Sequence, residues 1–513
     1  MSTPSNVGAG HAAAHAAEPP IAPTSPGDTR RWWVLAIIGI AQLMLVLDST
    51  IVNIALPSAQ RALHFADGDR VWIVTAYALT FGSFLLLGGR LGDIFGRKWT
   101  FIGGLAGFAL ASAAGGAAPN FAVLVSARAV QGLFAALLAP SALTLLATTF
   151  TDAKERGRAF AVYGAVAGGG GSVGLLLGGV LTSYASWRWC LYVNLIFAAV
   201  AAAGGLLLLS NPPRQGRPVI DVPGVVLASA GLFALVFGFS RAQTDSWGSA
   251  VTLAWLAVGV ALLAAFVQVQ RLVAHPLLPL RVVLDRNRAG AYAAIGLTFI
   301  AVFALFFFLT FYLQGVRGDS PVKTGVAFLP LPLALVVSSG VSTVRLFPRF
   351  GPRRLIVPGL LVAAVGMVLL SQLGVDSGYA AHVLPALVIT GIGFGAIVPP
   401  ALSTATQGVE FRDAGVAAGT ANTMQQVGGS IGTALLTAIA AQATARSLGG
   451  HPTSGHPTRS AGASTVALAV THGYSVGFQV AAGIFLGAAV ICALLLRPRA
   501  DQRGRSGPDT AAA

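Results

Sequence analysis

The sequence predicts an all-α polytopic membrane protein: two six-helix bundles with a helix pair inserted between them, fourteen transmembrane helices in all. Three observations carry this. Of 513 residues, 55% are hydrophobic and only 10% charged, against about 25% charged in a soluble globular domain. Apolar runs near the length that crosses a bilayer as a helix recur along the chain. A pattern from the first half also returns in the second. Gly170-Gly171-Ser172-Val173-Gly174 reappears 258 residues later as Gly428-Gly429-Ser430-Ile431-Gly432. Pro140-Ser141-Ala142-Leu143 meets Pro399-Pro400-Ala401-Leu402 one residue off that offset. Parallel six-helix repeats are a transporter arrangement, with the substrate site between the halves near the midplane.

Residues 1–31 are expected to form a disordered tail, rich in Ala, Pro, Gly and Ser. With Glu18 and Asp28 and no basic residue before Arg30-Arg31, the tail does not read as a signal peptide. The first bundle (32–210) holds spans 32–56, 71–90, 99–117, 121–147, 157–183 and 188–209. The inserted pair (211–272) is 223–240 and 250–271. The second bundle (273–497) holds 289–313, 322–344, 354–373, 380–405, 414–440 and 472–496, and 498–513 is a second tail. The loop 441–471, rich in Gly, Ser, Thr and His, is expected to be flexible.

Fourteen is even, so both termini lie on one side. With that side inside, its segments hold 23 of the 32 Lys and Arg, and the outside loops hold eight. The positive-inside rule therefore expects both termini in the cytoplasm of a cell carrying this protein in its cytoplasmic membrane. The net charge of +15 marks loops beside anionic lipid, not a nucleic-acid surface. Cys190 and Cys492 form no disulfide framework, and no histidines pair at ligand spacing in an apolar segment. No metal and no cofactor is expected.

The remaining basic residue, Arg128, lies inside span 4. Sixteen of the seventeen acids fall in tails, loops or at the membrane edge; Asp48, inside span 1, is the exception. A carboxylate at mid-bilayer costs about 2.5–3.5 kcal/mol on insertion scales. Counted from the outer ends of their spans, Asp48 is roughly 12 Å deep and Arg128 roughly 10 Å deep. They can meet if spans 1 and 4 are neighbours. An enzyme needs convergent nucleophile, acid–base or metal groups, which one Asp and one Arg do not supply, so the chain is not expected to be an enzyme.

Four motifs carry a resemblance. Gly89-Arg90-Leu91-Gly92-Asp93-Ile94-Phe95-Gly96-Arg97-Lys98 makes a tight, charged turn between spans 2 and 3, and Arg349-Phe350-Gly351-Pro352-Arg353-Arg354 is a degenerate copy. Arg128-Ala129-Val130-Gln131-Gly132 places Arg128 and Gln131 on one helix face. Leu47-Asp48-Ser49-Thr50-Ile51-Val52-Asn53-Ile54-Ala55-Leu56-Pro57 ends span 1. Gly170, Gly174, Gly178 and Gly179 stripe span 5, where small residues let helix backbones touch and rock. Together these resemble the major facilitator superfamily, in its fourteen-helix drug:proton antiporter branch. The span 5 stripe has Leu175 where that branch's antiporter motif has Pro.

The resemblance implies a proton-coupled exporter of small hydrophobic, often cationic compounds, working by alternating access as a monomer on the energy of the proton gradient. Asp48 and Arg128 are the proton-coupling pair. A guanidinium beside the carboxylate favours its charged form, and parting helices would let it take a proton. Asp48 is also expected to meet the substrate, exchanging one monovalent cation for one proton, and to serve dications poorly. Asn53, Gln131, Gln314, Asn422, Gln425, Gln426 and Phe307 are candidate lining residues. Gly89, Asp93, Gly96, Arg97, Lys98 and the span 5 glycines are candidate gating residues. Alternatives are a dedicated exporter of one endogenous metabolite or antibiotic and, more remotely, a nutrient importer, a membrane enzyme or a channel.

Overall fold

The computed structural model describes residues 29–66, 69–150, 152–210, 221–273, 276–407, 409, 414–448 and 463–497. Among them there is no strand. Fourteen long helices follow one another: α1 (Arg30–Leu63), α2 (Arg70–Phe95), α3 (Arg97–Gly116), α4 (Phe121–Thr149), α5 (Ala153–Tyr184), α6 (Trp189–Leu208), α7 (Val222–Asp245) and α8 (Ala250–Leu272). Then come α9 (Arg286–Val316), α10 (Pro321–Phe350), α11 (Arg353–Leu370), α12 (Tyr379–Thr406), α13 (Ala414–Ser447) and α14 (Ala463–Leu495). Thirteen are long and apolar enough to cross a membrane, and α2, of 26 residues, contributes the apolar stretch Arg70–Leu85.

Local chemistry sets the ends. Asn120 accepts from the Val123 amide at the start of α4, Asp221 from Gly224 in α7, and Ser320 from Lys323 in α10. Gly96, at φ 90°, makes the turn from α2 to α3. α10 is interrupted at Leu329, because Pro330 offers no amide to continue the ladder.

The link expected over 441–471 is shorter than the sequence suggests. α13 continues to Ser447 and α14 begins at Ala463. Ala441, Gln442, Ala443 and Arg446 are good helix formers, and Gly473 packs against Thr444 and Ala440 across the two helices. α1 begins at Arg30, so the expected tail 1–31 overlaps its first two residues; residues 1–28, 211–220, 449–462 and 498–513 lie outside the described residues.

The two bundles repeat one contact. Gly170, Gly174 and Gly178 of α5 pack against Val46, Leu47 and Ile51 of α1, and Gly428 and Gly432 of α13 pack against Gly296 and Ile300 of α9. A Cβ on Gly432 would lie 2.1 Å from the Ile300 carbonyl oxygen, so only glycine permits that approach. α5 is one continuous helix through Leu175. α7 lies against both α2 and α13, and the Ser229 hydroxyl donates to the Ser83 carbonyl at 2.6 Å.

The halves meet along two seams, α2 against α13 and α5 against α10. Gly82 faces Gln426 and Val427; Gly179 faces Pro321 and Val322; Gly325 faces the Leu175 carbonyl. The apolar core shows which end is closed. On the side away from the termini, Leu47–Ala59 of α1, Leu124 and Leu175 join the core of the second half in one cluster. On the terminal side the first half has its own core, from Val34 to Leu45 and from Phe101 to Phe108, separate from it. Among the described residues the apolar core is thus continuous between the halves at the far side and divided at the terminal side.

Candidate functional site

Asp48 and Arg128 meet. The guanidinium donates to the carboxylate at 2.6 Å, and the two residues are 0% and 2% exposed. Arg128 also donates to Gln131 Oε1 at 2.7 Å and through Nε to the Ile73 carbonyl, and it lies 4.3 Å from the centre of the Tyr77 ring. The other carboxylate oxygen accepts from Gln131 Nε2 and Asn194 Nδ2, each at 2.8 Å. The Ser112 hydroxyl accepts from both amides and donates to the Leu191 carbonyl. Helices α1, α3, α4 and α6 each supply one side of this cluster. A proton added to the carboxylate would displace one of its donors, so protonation is tied to the helices that carry them.

A cavity of about 10 Å³, room for roughly one water, borders Arg128; Cys190, Leu124 and Val52 are among its other lining residues.

The network is closed toward the crevice. Leu43, Val46, Leu47, Thr50 and Ile51 pack on α5, and Asp48 points to α4 and α6. At 3.6 residues per turn, Gln42, Val46, Ser49 and Asn53 form a stripe turned about 100–160° from Asp48, with Val46 at its α5 edge. Gln42 and Val46 are half-buried on the terminal-side half of α1, where the cores of the two halves are separate, and Ser49 is half-buried within the stretch Leu47–Ala59 that joins the common core. In this structure the Asp48 carboxylate makes its hydrogen bonds inside the first bundle, to Arg128, Gln131 and Asn194.

The other candidates divide. Gln131 is 1% exposed and belongs to the Asp48 network rather than to the lining. Asn53, buried, donates to the Ser49 carbonyl at 3.0 Å. Gln314 is a tie between the halves, donating to the Ile54 carbonyl at 3.1 Å. Phe307, 8% exposed, packs on Phe311, which Arg70 covers at 4.3 Å, so this pair belongs to the far-side seal. Asn422, Gln425 and Gln426 are half-buried on α13. Among the described residues no hydrogen bond engages their side chains; the Gln426 carbonyl accepts from the Ser430 hydroxyl at 2.9 Å.

In the α2–α3 turn, Gly89 lies against Pro140, Arg97 donates to Thr144 Oγ1 at 2.8 Å, and Lys98 donates to the Leu206 carbonyl at 2.8 Å. The Asp93 side chain lies outside the described residues. Sequence reasoning missed the roles of Asn194 and Ser112. Asn194 was visible as an amide inside an apolar span, whereas Ser112 carried no signal beyond its small size.

The pattern that defines the Major Facilitator Superfamily matches residues 38–433. The chain is 50% identical over 483 residues to the puromycin resistance protein pur8 of Streptomyces alboniger, covering 94% of each. It is 38% identical over 416 residues to the cephamycin export protein CmcT of Amycolatopsis lactamdurans, covering 80% of this chain and 86% of that one. In fold it resembles a bacterial homologue of the human lysosomal transporter Spinster, solved inward-facing and unoccupied. The TM-score there is 0.64 at 16% identity, over 94% of this chain and 100% of that one.

Proposed function

The chain belongs to the Major Facilitator Superfamily, and from that premise we propose that it is a proton-coupled exporter of small hydrophobic compounds of the antibiotic type. It sits in the cytoplasmic membrane with both termini in the cytoplasm, acts as a monomer, and needs no cofactor beyond the proton gradient. The observation that carries this reading is the fully buried Asp48–Arg128 pair in the wall of a two-bundle transporter whose relatives are named for antibiotic resistance and export. A charge pair held at such cost in apolar surroundings is retained for a task.

The positive-inside balance puts the divided side of the crevice in the cytoplasm, so the structure corresponds to the state that loads substrate. In that state Asp48 holds Arg128, Gln131 and Asn194 together. Rocking of α1 against α5 on the Gly170–Gly178 stripe shifts α1 relative to α4. As Arg128 withdraws, Asp48 takes a proton from outside; when the halves return, it releases the proton inside. Substrate leaves on the intervening half-cycle. Each proton contributes about 1.4 kcal/mol per pH unit and about 2.3 kcal/mol per 100 mV.

A dedicated exporter of one antibiotic is the second reading, favoured by relatives named for single compounds, puromycin and cephamycin. Efflux of a fluorescent hydrophobic dye and of puromycin from expressing cells tests both. Loss of gradient-dependent efflux in Asp48→Asn, with partial retention in Asp48→Glu, supports the proposal. Undiminished efflux in Asp48→Asn would remove Asp48 as the coupling group. Export of puromycin alone would select the dedicated reading.

A further inference from the structure

Building on the exporter reading, we infer that the substrate is recognised as an uncharged molecule, through neutral hydrogen-bonding side chains, so that proton and substrate bind on opposite faces of α1 and export carries net charge. Three observations lead here. First, Asp48 is 0% exposed, and Arg128, Gln131 and Asn194 occupy its oxygens inside the first bundle. Second, the other Asp, Glu, Lys and Arg residues fall in tails, loops or helix ends, so among the described residues no further Asp, Glu, Lys or Arg lies at the depth of Asp48. Third, the polar groups that remain there are neutral. Gln42 and Ser49 lie on α1, where Gln42 accepts from Tyr163 of α5 and Ser49 donates to the Val46 carbonyl. Asn422 and Gln425 lie on α13, half-buried and uncommitted.

The depths of these groups agree. Gln42, Tyr163 and Gln425 lie 10 to 12 residues inside the terminal-side ends of their helices, about 15–18 Å at 1.5 Å per residue. Neighbouring contacts place Gln425. Met424 and Gly428 turn to α9, and Gln426 and Val427 turn to Gly82 of α2, so at 3.6 residues per turn Asn422 and Gln425 fall on the arc of α13 between those two contacts. A cation bound beside them would shed water and find no counter-charge. An uncharged molecule with carbonyl, hydroxyl or amide groups finds on Asn422 and Gln425 side-chain donors and acceptors that, among the described residues, have no hydrogen bond to give up.

The charge balance follows. One proton enters on Asp48 while a neutral molecule leaves, so each cycle moves one positive charge inward. Membrane potential alone, at equal pH on both sides, therefore drives export.

The test uses the full-length protein, purified and in proteoliposomes. The probes are puromycin, a primary amine, and puromycin with that amine capped as an amide. The capped form is expected to bind at least as well as the amine. Gln425→Leu and Asn422→Leu should each weaken its binding by about tenfold, whereas Asp48→Asn should leave binding within about twofold while abolishing proton-driven transport. Melting curves confirm that each variant is folded. A potential imposed at equal pH should drive transport of the capped form. Preference for the protonated amine, loss of binding in Asp48→Asn, or indifference of capped-form transport to potential would each overturn the inference and leave the exporter reading standing. Transport of neither form under any proton gradient would remove the proposed function and this inference with it.

Discussion

Asp48 shows how one residue can be both costly and retained. Its carboxylate and the Arg128 guanidinium are both out of water, and each is affordable only because the other is 2.6 Å away and three amide-bearing or hydroxyl side chains complete the shell. Removing one partner strands the other, a loss of about 3–5 kcal/mol. Asp48→Asn should therefore melt well below wild type in detergent. The double variant Asp48→Asn with Arg128→Gln should recover most of that stability, because two neutral amides can replace the ion pair, yet transport nothing against a gradient. Equal melting temperatures for wild type and Asp48→Asn would show that the pair is not the strained unit described here. Asn194→Leu removes one donor and is expected to slow gradient-driven export while leaving substrate binding unchanged, read as separate transport and binding measurements.

At the scale of the element, glycines decide how closely helices approach. Gly88 in α2 is the tightest case, since a Cβ there would fall 1.9 Å from the Ala136 carbonyl oxygen of α4. Gly88→Ala should cost about 1–3 kcal/mol by overpacking, measured as a drop in thermal midpoint. Gly174 sits where α1 and α5 must slide, with Thr50 and Leu47 against it. Gly174→Val is expected to reduce export more than it reduces binding, because it jams motion rather than the site. Gln314 holds the seal through one hydrogen bond to the Ile54 carbonyl, worth about 1 kcal/mol. Gln314→Leu should shift the population toward opening at the far side. Spin labels at Arg61→Cys and Gly315→Cys, at the far-side ends of α1 and α9, would report this as a longer distance component. An unchanged distance distribution would mean that Gln314 carries no part of the seal.

For the whole molecule, the continuous core at one end and the divided core at the other make two arrangements of rigid bundles the natural motion. Bilayer hydrocarbon supplies no hydrophobic drive between helices, so small-residue contacts along the seams can part and reform at low cost. The inserted α7 touches both α2 and α13 and so bridges the seam between them. If both termini are cytoplasmic, an impermeant thiol reagent should label a cysteine placed at Ser506 only in permeabilised cells. Labelling in intact cells would reverse the direction of transport inferred here.

The sequence by itself determined the class, the number of spans, the repeat and the two charges at depth. Hydropathy over some twenty residues and lysine–arginine asymmetry are local or summed quantities, legible without a fold. It also supported the pairing of Asp48 with Arg128, because matched depth in neighbouring helices leaves few alternatives. Only the tertiary structure decided which way Asp48 faces. Rotation of α1 about its axis is set by the Gly170–Gly178 contact with α5, which lies more than a hundred residues away along the chain. That rotation turned Gln131 from a lining candidate into a network member, made Gln314 and Phe307 parts of the seal, and brought in Ser112 and Asn194. Side-chain direction around a helix depends on which neighbours fill its grooves, and no window of the sequence contains those neighbours.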